Sequence, residues 1–359
     1  MDMLITGGCG FMGYHLAKFF AQKGHSVTCL DNFSKRSAEL VSKELVGHAV
    51  NVVEGDVANL NDYSYLETPD VILHLAAQTS AVPGIQRPNL DFRSNLKGTF
   101  NVLEFARQRK SKVIFWSSNK VYPASQLTSI PRKETHLRYI WDASSVDVNT
   151  EVGKQAWNIA HSGVPESLSL NGGSRSIYGL TKACADLMCQ EWAATYKIPT
   201  IVNRFSCVAG TDQYGQEEQG WLSWFCAANL LDLPVNLVGW KGKQVRDVLN
   251  VKDVCILIEK EIERIDSLSG EVFNIGGGIG NTLSLLEALS VIERLTGRKF
   301  NTKTIPEPRI GDQCIYISDI RKARRFLHWA PTVSVRETIE EIVDWTSRNL
   351  KNLRAIYGV

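Results

Sequence analysis

The sequence predicts an α/β protein whose core is a doubly wound parallel sheet, followed by a smaller C-terminal α/β lobe. Up to about residue 120, short apolar runs alternate with amphipathic stretches, the rhythm of a parallel sheet covered by helices on both faces. A cluster of glycines follows the first apolar run, where the first helical pattern begins. Right-handed crossovers between successive strands would build the doubly wound fold. The strands expected in this half are residues 3–6, 27–31, 50–54, 71–75 and 113–117.

The glycines lie between the first strand and a predicted helix over residues 12–22. A side chain in such a turn would keep a pyrophosphate away from the backbone amides and the partial positive charge at the helix N-terminus. An ordinary glycine turn is the alternative, but the strand, turn and helix context favours a Rossmann-type dinucleotide site. The residues expected to line the pyrophosphate are Gly7, Gly10, Phe11, Met12 and Gly13.

Acidic residues after the second and third strands extend the predicted cofactor site. Asp31 ends the second strand, where a carboxylate accepts hydrogen bonds from the adenosine ribose and repels a 2′-phosphate, so NAD is favoured over NADP. Lys35 and Arg36 could instead serve a phosphate, or form a solvated loop. Asp56 is placed either to meet the adenine or to cap a helix. Further residues expected at the cofactor are Asn32, Val57, Leu75, Ala76 and Ala77.

The predicted catalytic groups follow the fifth strand and begin the helix after residue 176. Ser118 lies at the carboxyl end of that strand, where open α/β sheets bind ligands. Tyr178 and Lys182 lie four residues apart, on one face of a helix running to about Tyr196. The Lys182 ammonium would favour the ionised Tyr178 phenol, whose ordinary pKa of about 10 is too high for a base at neutral pH. The three groups together predict acid–base chemistry on a substrate hydroxyl.

The remainder of the chain predicts a loop region and a second lobe. Residues 123 to about 176 are rich in Ser, Pro, Asn and Gly without periodicity, which predicts long loops. The predicted domains are residues 1–205 and 206–359, with some exchange of chain between them. Further predicted helices are residues 96–108, 221–231, 251–262, 283–295 and 335–350, and further strands are 200–205, 235–238, 245–249 and 272–275.

Composition narrows the classes of function. The chain has 359 residues, 44% of them hydrophobic, which is enough for a sizeable core and a second lobe. A net charge of +2, with acids and bases interleaved, favours neither nucleic acid nor an anionic membrane as partner. The eight cysteines form no C-x-x-C pair, which argues against a metal site and favours free, mostly buried thiols. The N-terminus lacks a leader pattern and no stretch is long and apolar, so we expect a reducing, cytoplasmic setting.

These motifs resemble the extended short-chain dehydrogenase/reductase family over nearly the whole chain. The resemblance implies that the chain binds NAD, that Lys182 also holds the nicotinamide ribose, and that the substrate is a nucleotide-diphosphate sugar. It further implies pairing through the helices over residues 96–108 and 177–196, as a homodimer or homotetramer. The matching positions are Gly7, Gly10, Gly13, Asp31, Asp56, residues 73–77, Asn95, Ser118, Tyr178, Lys182 and Arg204.

Longer strings in the distal half are similar to the CDP-tyvelose (CDP-paratose) 2-epimerase branch of that family. They are Gln219-Gly220-Trp221 and residues 242–249, 273–277 and 311–313. By this resemblance, the residues expected at the substrate are Ser118, Asn119, Arg204, Gln219, Trp221, Arg246 and Arg309.

Two of these assignments have structural alternatives. Arg246 and Arg309 suit a diphosphate because a guanidinium engages phosphate oxygens through paired hydrogen bonds, but either could pair with Asp247 or Asp312 in a salt bridge. Trp221 has helical spacing with Trp224 and Phe225, which is more typical of a core than of a wall for the nucleotide or sugar.

The resemblance implies an isomerase that inverts C2 of a CDP-hexose through a transient keto intermediate, in bacterial surface polysaccharide biosynthesis. A UDP-sugar 4-epimerase would use the same three groups on another carbinol, and a net NAD-dependent reductase would consume cofactor. A silent nucleotide sensor would usually lack Tyr178 or Lys182. A 4,6-dehydratase would carry an Asp-Glu pair where this chain has Asn119-Lys120.

Overall fold

The computed structural model describes residues 1–79 and 81–359, and it describes the side chains of all of these except residues 81–83. Strands β1 to β15 are Asp2–Thr6, Ser26–Asp31, Asn51–Glu54, Val71–His74, Lys112–Ser118, Arg132–Glu134, Tyr139–Trp141, Thr200–Phe205, Cys207–Ala209, Val235–Val238, Val245–Asn250, Val272–Ile275, Thr282–Ser284, Thr302–Ile305 and Ile315–Tyr316. Helices α1 to α14 are Phe11–Gln22, Ala38–Gly47, Ala81–Gln86, Pro88–Asp91, Gly98–Arg109, Ala124–Thr128, Glu151–Ser162, Ile177–Tyr196, Trp221–Leu231, Val251–Arg264, Leu285–Thr296, Arg321–Leu327, Val335–Arg348 and Leu350–Tyr357.

A seven-stranded sheet forms the centre of the fold, in the order β3-β2-β1-β4-β5-β8-β12. The pairs from β3 to β5 are all parallel. The strand order reverses between β1 and β4, and ligands bind at the carboxyl ends of strands at such a switch point. The predicted doubly wound α/β fold is confirmed.

The chain divides into two compact units, each made of several segments. The first unit contains Met1–Ser118, Ile177–Arg204 and Val254–Phe273, and the second contains Asn119–Ser176, Phe205–Asp253 and Asn274–Val359. The chain therefore changes units near residue 205 and at four other points. Residues 119–176, which the sequence placed in the first domain, pack within the second unit because their partners lie far along the chain.

The core of the first unit lies between its sheet and helices. Buried side chains from β1, β4, β5 and β8 meet apolar residues of α5 and α8, so both helices are held against the strands that carry the site. The members of this cluster include Leu4, Ile72, Phe115, Val202, Leu103 and Cys189.

The core of the second unit is formed mainly by α9, α11 and α13 against β10 and β11. Both α11 and α13 begin with a capping box, in which Ser284 or Ser334 exchanges hydrogen bonds with Glu287 or Glu337. Phe225 of α9 is buried in this core, as the helical spacing predicted.

The prediction of long loops over residues 123–176 is wrong in part, because this segment contains α6, the β6–β7 hairpin and α7. A hairpin with three-residue strands is not stable alone. It is anchored by Arg138, whose guanidinium donates to Glu287 Oε2 at 2.7 and 3.0 Å, and by Glu134, which pairs with Lys241 and Lys243. These partners lie more than a hundred residues away in the sequence. The periodicity of the segment itself therefore could not predict the hairpin.

All eight cysteines are free thiols, six of them buried, as predicted. Within the described part of the chain, no helix has the length and apolar character needed to span a membrane.

Candidate functional site

The glycine turn after β1 fits a bound pyrophosphate. Gly7 has φ +71°, and a Cβ there would lie 2.9 Å from the backbone nitrogen of Ala76. A Cβ on Gly13 would lie 2.3 Å from the Gly7 carbonyl oxygen. Gly10 is the N-cap of α1 and makes no side-chain cap, so the first amides of this helix are left for a ligand. Phe11 and Met12 begin the helix beside these amides.

Asp31 ends β2 and holds the glycine turn in place. Its Oδ2 accepts a hydrogen bond from the Cys9 amide and its Oδ1 accepts one from Phe33, both at 2.9 Å. Burial raises the pKa of this carboxyl, and these two amides act in the opposite sense. Each oxygen retains a lone pair for a ribose hydroxyl. Asn32, the residue after Asp31, accepts a hydrogen bond from the Ser34 amide through its side-chain oxygen.

Asp56 follows β3 but does not cap the next helical turn, whose N-cap is Asn59. Its carboxylate accepts from the Ala58 amide and pairs with Arg93, both at 2.9 Å. Val57 is buried, and its carbonyl accepts from the side chains of Tyr63 and Asn101.

Residues 75–77 leave β4 along a path fixed by Thr6. The Thr6 hydroxyl lies 2.7 Å from His74 Nδ1 and accepts from the Ala76 amide at 3.2 Å. Burial, and then Lys182, lower the pKa of His74 to about 3, so the imidazole is neutral. The side chains that hold this segment, Thr6 and His74, are therefore both uncharged.

Asn95 is fully buried in a π-helical turn, Phe92–Lys97, that precedes α5. Its Oδ1 accepts from the Gln78 amide at 2.8 Å and its Nδ2 donates to Thr181 at 3.1 Å. Asn95 thus connects the segment after β4 to the helix that carries Tyr178, which places it as a positioning residue.

Ser118 and Tyr178 are brought together by β5 and α8. Ser118 ends β5, and its side chain is hydrogen bonded to the Tyr178 phenol. Lys182 lies one helical turn further along α8, 3% exposed, with Nζ 4.4 Å from the centroid of the Phe115 ring. The predicted catalytic groups therefore share one buried region of the first unit.

The electrostatics of this region differ from the sequence prediction. Burial raises the pKa of Tyr178, the Ser118 hydrogen bond lowers it, and Asp91 raises it further. Burial lowers the pKa of Lys182 to about 8, against the opposing effects of Cys189 and Asp186. The expected lowering of the Tyr178 pKa is thus wrong for the protein alone, because burial outweighs the stabilisation of the phenolate.

Arg204, a predicted substrate residue, is held by a buried ion pair in the first unit. Its guanidinium donates to both carboxylate oxygens of Asp186, at 2.9 and 3.0 Å, and both residues are buried. Asp186 also accepts from Ser117 at 2.6 Å. This ion pair joins β8 to α8, the helix that carries Tyr178 and Lys182.

A cluster of cations in the second unit contains the predicted diphosphate ligand. Arg246 Nη2 and Lys120 Nζ lie 2.7 and 3.1 Å from the same oxygen, Asp312 Oδ1. Burial would raise the pKa of Asp312, but Lys120 and Arg246 bring it to about 2. Of the two carboxylates that could form a salt bridge with Arg246, Asp312 does so. Asp247 instead accepts hydrogen bonds from Ser206 and from the amides of Gly278 and Ser318.

The other predicted substrate residues lie in the same unit. Arg309 makes long contacts of 3.4 Å to Glu217. Trp221 is half-buried with its ring edge-on to Phe225, and it packs against the core. Gln219 exchanges backbone hydrogen bonds with Gln216. Asn119 is buried, and its carbonyl accepts from Gln313.

Sequence reasoning missed two residues. The sequence analysis used Lys120 only as an argument against a dehydratase. In the structure, its amine contacts the same Asp312 oxygen as Arg246. Asp91 was not singled out, although it is fully buried and acts on Tyr178. A carboxylate in the helical segment before Asn95 was the available signal, but its burial depends on tertiary packing.

Comparison with known proteins agrees with this geometry. The model of the NAD dependent epimerase/dehydratase family matches residues 3–146 and 152–276. The chain is 35% identical to CDP-paratose 2-epimerase of Salmonella typhi, over 97% of this chain and 99% of that protein. It is 24% identical to UDP-glucuronate 4-epimerase of Thermodesulfobacterium geofontis, over 98% of each. The structure of Thermus thermophilus UDP-glucose 4-epimerase complexed with NAD superposes with a TM-score of 0.76 at 25% identity, covering 97% of this chain and 99% of that one.

Proposed function

The chain belongs to the NAD dependent epimerase/dehydratase family, and on this premise we propose that it inverts C2 of the hexose in a CDP-sugar. It is an NAD-dependent nucleotide-sugar epimerase. The observation that carries the finer proposal is the 35% identity to CDP-paratose 2-epimerase over almost the full length of both chains, against 24% for a UDP-glucuronate 4-epimerase.

The cofactor NAD has a fitting site in the first unit. The cradle of Gly7, Gly10 and Gly13 would take the pyrophosphate, and Asp31 would accept from the adenosine ribose. Lys182 would hold the nicotinamide ribose. Bound there, NAD would supply reversible hydride transfer at the sugar carbon.

The chain's own residues move the proton. Tyr178 takes the proton of the C2 hydroxyl while the carbonyl forms, and it returns that proton when the hydroxyl is restored. Ser118 orients the same oxygen through its hydroxyl, which already bonds the phenol. With a pKa of about 8, Lys182 is mostly cationic at pH 7 and stabilises the charge that develops on Tyr178.

The second unit supplies the candidate groups for the nucleotide. Arg246 and Arg309 are proposed to bind the diphosphate, and Gln219 and Trp221 to border the nucleotide or sugar. Arg246 is already held by Asp312 and by the Val245 carbonyl at 2.7 Å, so little side-chain freedom is lost when a ligand binds.

A UDP-sugar 4-epimerase is the second candidate. It is favoured by the full-length similarity to UDP-glucuronate 4-epimerase and to the Thermus thermophilus UDP-glucose 4-epimerase structure. The same proton-transfer groups would act on the C4 hydroxyl.

Incubation of the purified protein with CDP-, UDP-, GDP- and dTDP-hexoses separates the candidates when the inverted carbon is mapped by NMR. We expect inversion at C2 with a CDP-sugar and no net change in NADH absorbance. Inversion at C4 with C2 unchanged would contradict the proposal, and stoichiometric NADH oxidation would indicate a net reductase instead.

A further inference from the structure

We propose that Lys120 is a ligand of the substrate diphosphate beside Arg246. This inference rests on the proposed function. It assigns a substrate-binding role to a side chain that the sequence motifs left without one.

The position of the Lys120 amine is fixed by the loop after β14. Its Nζ lies 3.1 Å from Asp312 Oδ1 and 3.4 Å from the Gly311 carbonyl oxygen. Arg246 Nη2 lies 2.7 Å from the same Asp312 oxygen. Two cationic donors therefore converge on one acceptor atom, which places their remaining N–H groups around a common point.

Charge in this cluster favours an anion. Two cations, Lys120 and Arg246, share one oxygen of the Asp312 carboxylate, so positive charge exceeds negative charge within this triad, in a largely buried setting. Arg309 adds to the positive potential felt by Lys120. A diphosphate ester carries two negative charges near neutral pH and fits this excess, whereas a neutral sugar hydroxyl does not.

The loop that carries Asp312 is hydrogen bonded to Asn119, the residue before Lys120. The Gln313 amide donates to Asp312 Oδ1 at 3.0 Å, and Gln313 Nε2 donates to the Asn119 carbonyl at 3.3 Å. Gly311 has φ +74°, and a Cβ there would lie 2.5 Å from the Ser176 nitrogen. Within the described residues, the buried Gln313 Oε1 has no hydrogen-bond partner, which leaves an acceptor for a ligand hydroxyl.

The test measures binding without catalysis. Calorimetric titration of the NAD-loaded protein with CDP and UDP, and with cytidine and uridine, isolates the contribution of the diphosphate. We expect Lys120→Met to weaken binding of the preferred diphosphate about 10- to 100-fold, as for a lost charge-assisted hydrogen bond, and to leave nucleoside binding unchanged. Lys120→Arg should restore part of the loss. Lys241→Met is the matched control, because Lys241 is an exposed lysine of the same unit that pairs with Glu134.

Unchanged diphosphate affinity in Lys120→Met, or an equal loss for nucleosides, would overturn the assignment. So would a wild-type protein that binds neither diphosphate. If the wild type proves to invert C4 while Lys120→Met still binds the diphosphate more weakly, the proposed function fails and the phosphate contact stands.

Discussion

Tyr178 is surrounded by groups that pull its pKa in opposite directions. Burial and Asp91 raise it, and the hydrogen bond to Ser118 lowers it. Because these influences come from separate side chains, each can be removed alone. The pH dependence of turnover then reports whether this phenol is the base.

Replacement of Ser118 by alanine should move the acid limb of the pH profile of kcat/KM to higher pH. The variant loses the hydrogen bond that lowers the Tyr178 pKa, and kcat should fall roughly 100-fold or more because the substrate oxygen is no longer oriented. Ser117→Ala is the matched control, since Ser117 bonds Asp186 instead. An acid limb that stays in place in Ser118→Ala would argue against Tyr178 as the titrating group.

Replacement of Asp91 by asparagine should move the same limb to lower pH. Asp91 is fully buried, and neither carboxylate oxygen has a hydrogen-bond partner among the described groups, which exclude residue 80 and the side chains of residues 81–83. Burial raises its pKa to about 6, so above that pH its negative charge opposes ionisation of Tyr178. The variant lacks this charge. A shift to higher pH would show that Asp91 acts otherwise.

The same substitution has a consequence for stability with a defined sign. The folded-state pKa of Asp91, about 6, lies above its unfolded value of about 4. The wild-type protein therefore loses stability as pH rises from about 4 to about 6. The gain in unfolding free energy of Asp91→Asn over wild type should be larger at pH 8 than at pH 4, as measured by denaturant titration.

Spacing along the chain placed the candidate base and its lysine on one helical face, but it did not reveal every partner. Tyr178 and Lys182 were singled out because one helical turn sets their separation. The ion pair of Arg204 was not foreseen, because its buried partner, Asp186, lies on another element and only the fold brings the two together. Lys120 was overlooked for the same reason, since its carboxylate partner lies almost two hundred residues later.

Secondary structure was predictable where periodicity runs over many residues. The helix Ile177–Tyr196 and the strand Thr200–Phe205 have the bounds that the sequence predicted. The β6–β7 hairpin was not foreseen, because its three-residue strands depend on contacts from Arg138 and Glu134 to distant residues. Such short elements exist only in their tertiary setting.

The first turn of α1 is tested by Gly13→Ala. A methyl group at this position would meet the Gly7 carbonyl oxygen at 2.3 Å, so the glycine turn must move away from its place beside the helix N-terminus. We expect a lower melting temperature and at least about tenfold weaker NAD binding, by thermal unfolding and by release of cofactor on dilution. Gly47→Ala in α2 is the control, because a Cβ there meets open space. Wild-type retention of NAD in Gly13→Ala would contradict the assigned cradle.

Assembly of the molecule is expected to involve α5 and α8. These helices expose large apolar side chains, with Phe100 45%, Leu180 46% and Leu187 53% accessible. Apolar surface of this kind on two packed helices favours burial against a second copy. Light scattering should give the mass of a dimer or a dimer of dimers for the wild type, and a monomer for Leu180→Glu/Leu187→Glu. A monomeric wild type at micromolar concentration would contradict this expectation.

We infer that the Tyr178 phenol and one retained NAD together remove and restore hydrogen at a single sugar carbon. The decisive experiment incubates the protein, without added cofactor, with CDP-hexose deuterated at C2 in ordinary water, and follows the product by NMR. We expect inversion at C2 with deuterium retained there, and loss of this turnover in Tyr178→Phe. Deuterium exchanged to solvent, inversion at C4, or undiminished turnover in Tyr178→Phe would contradict it.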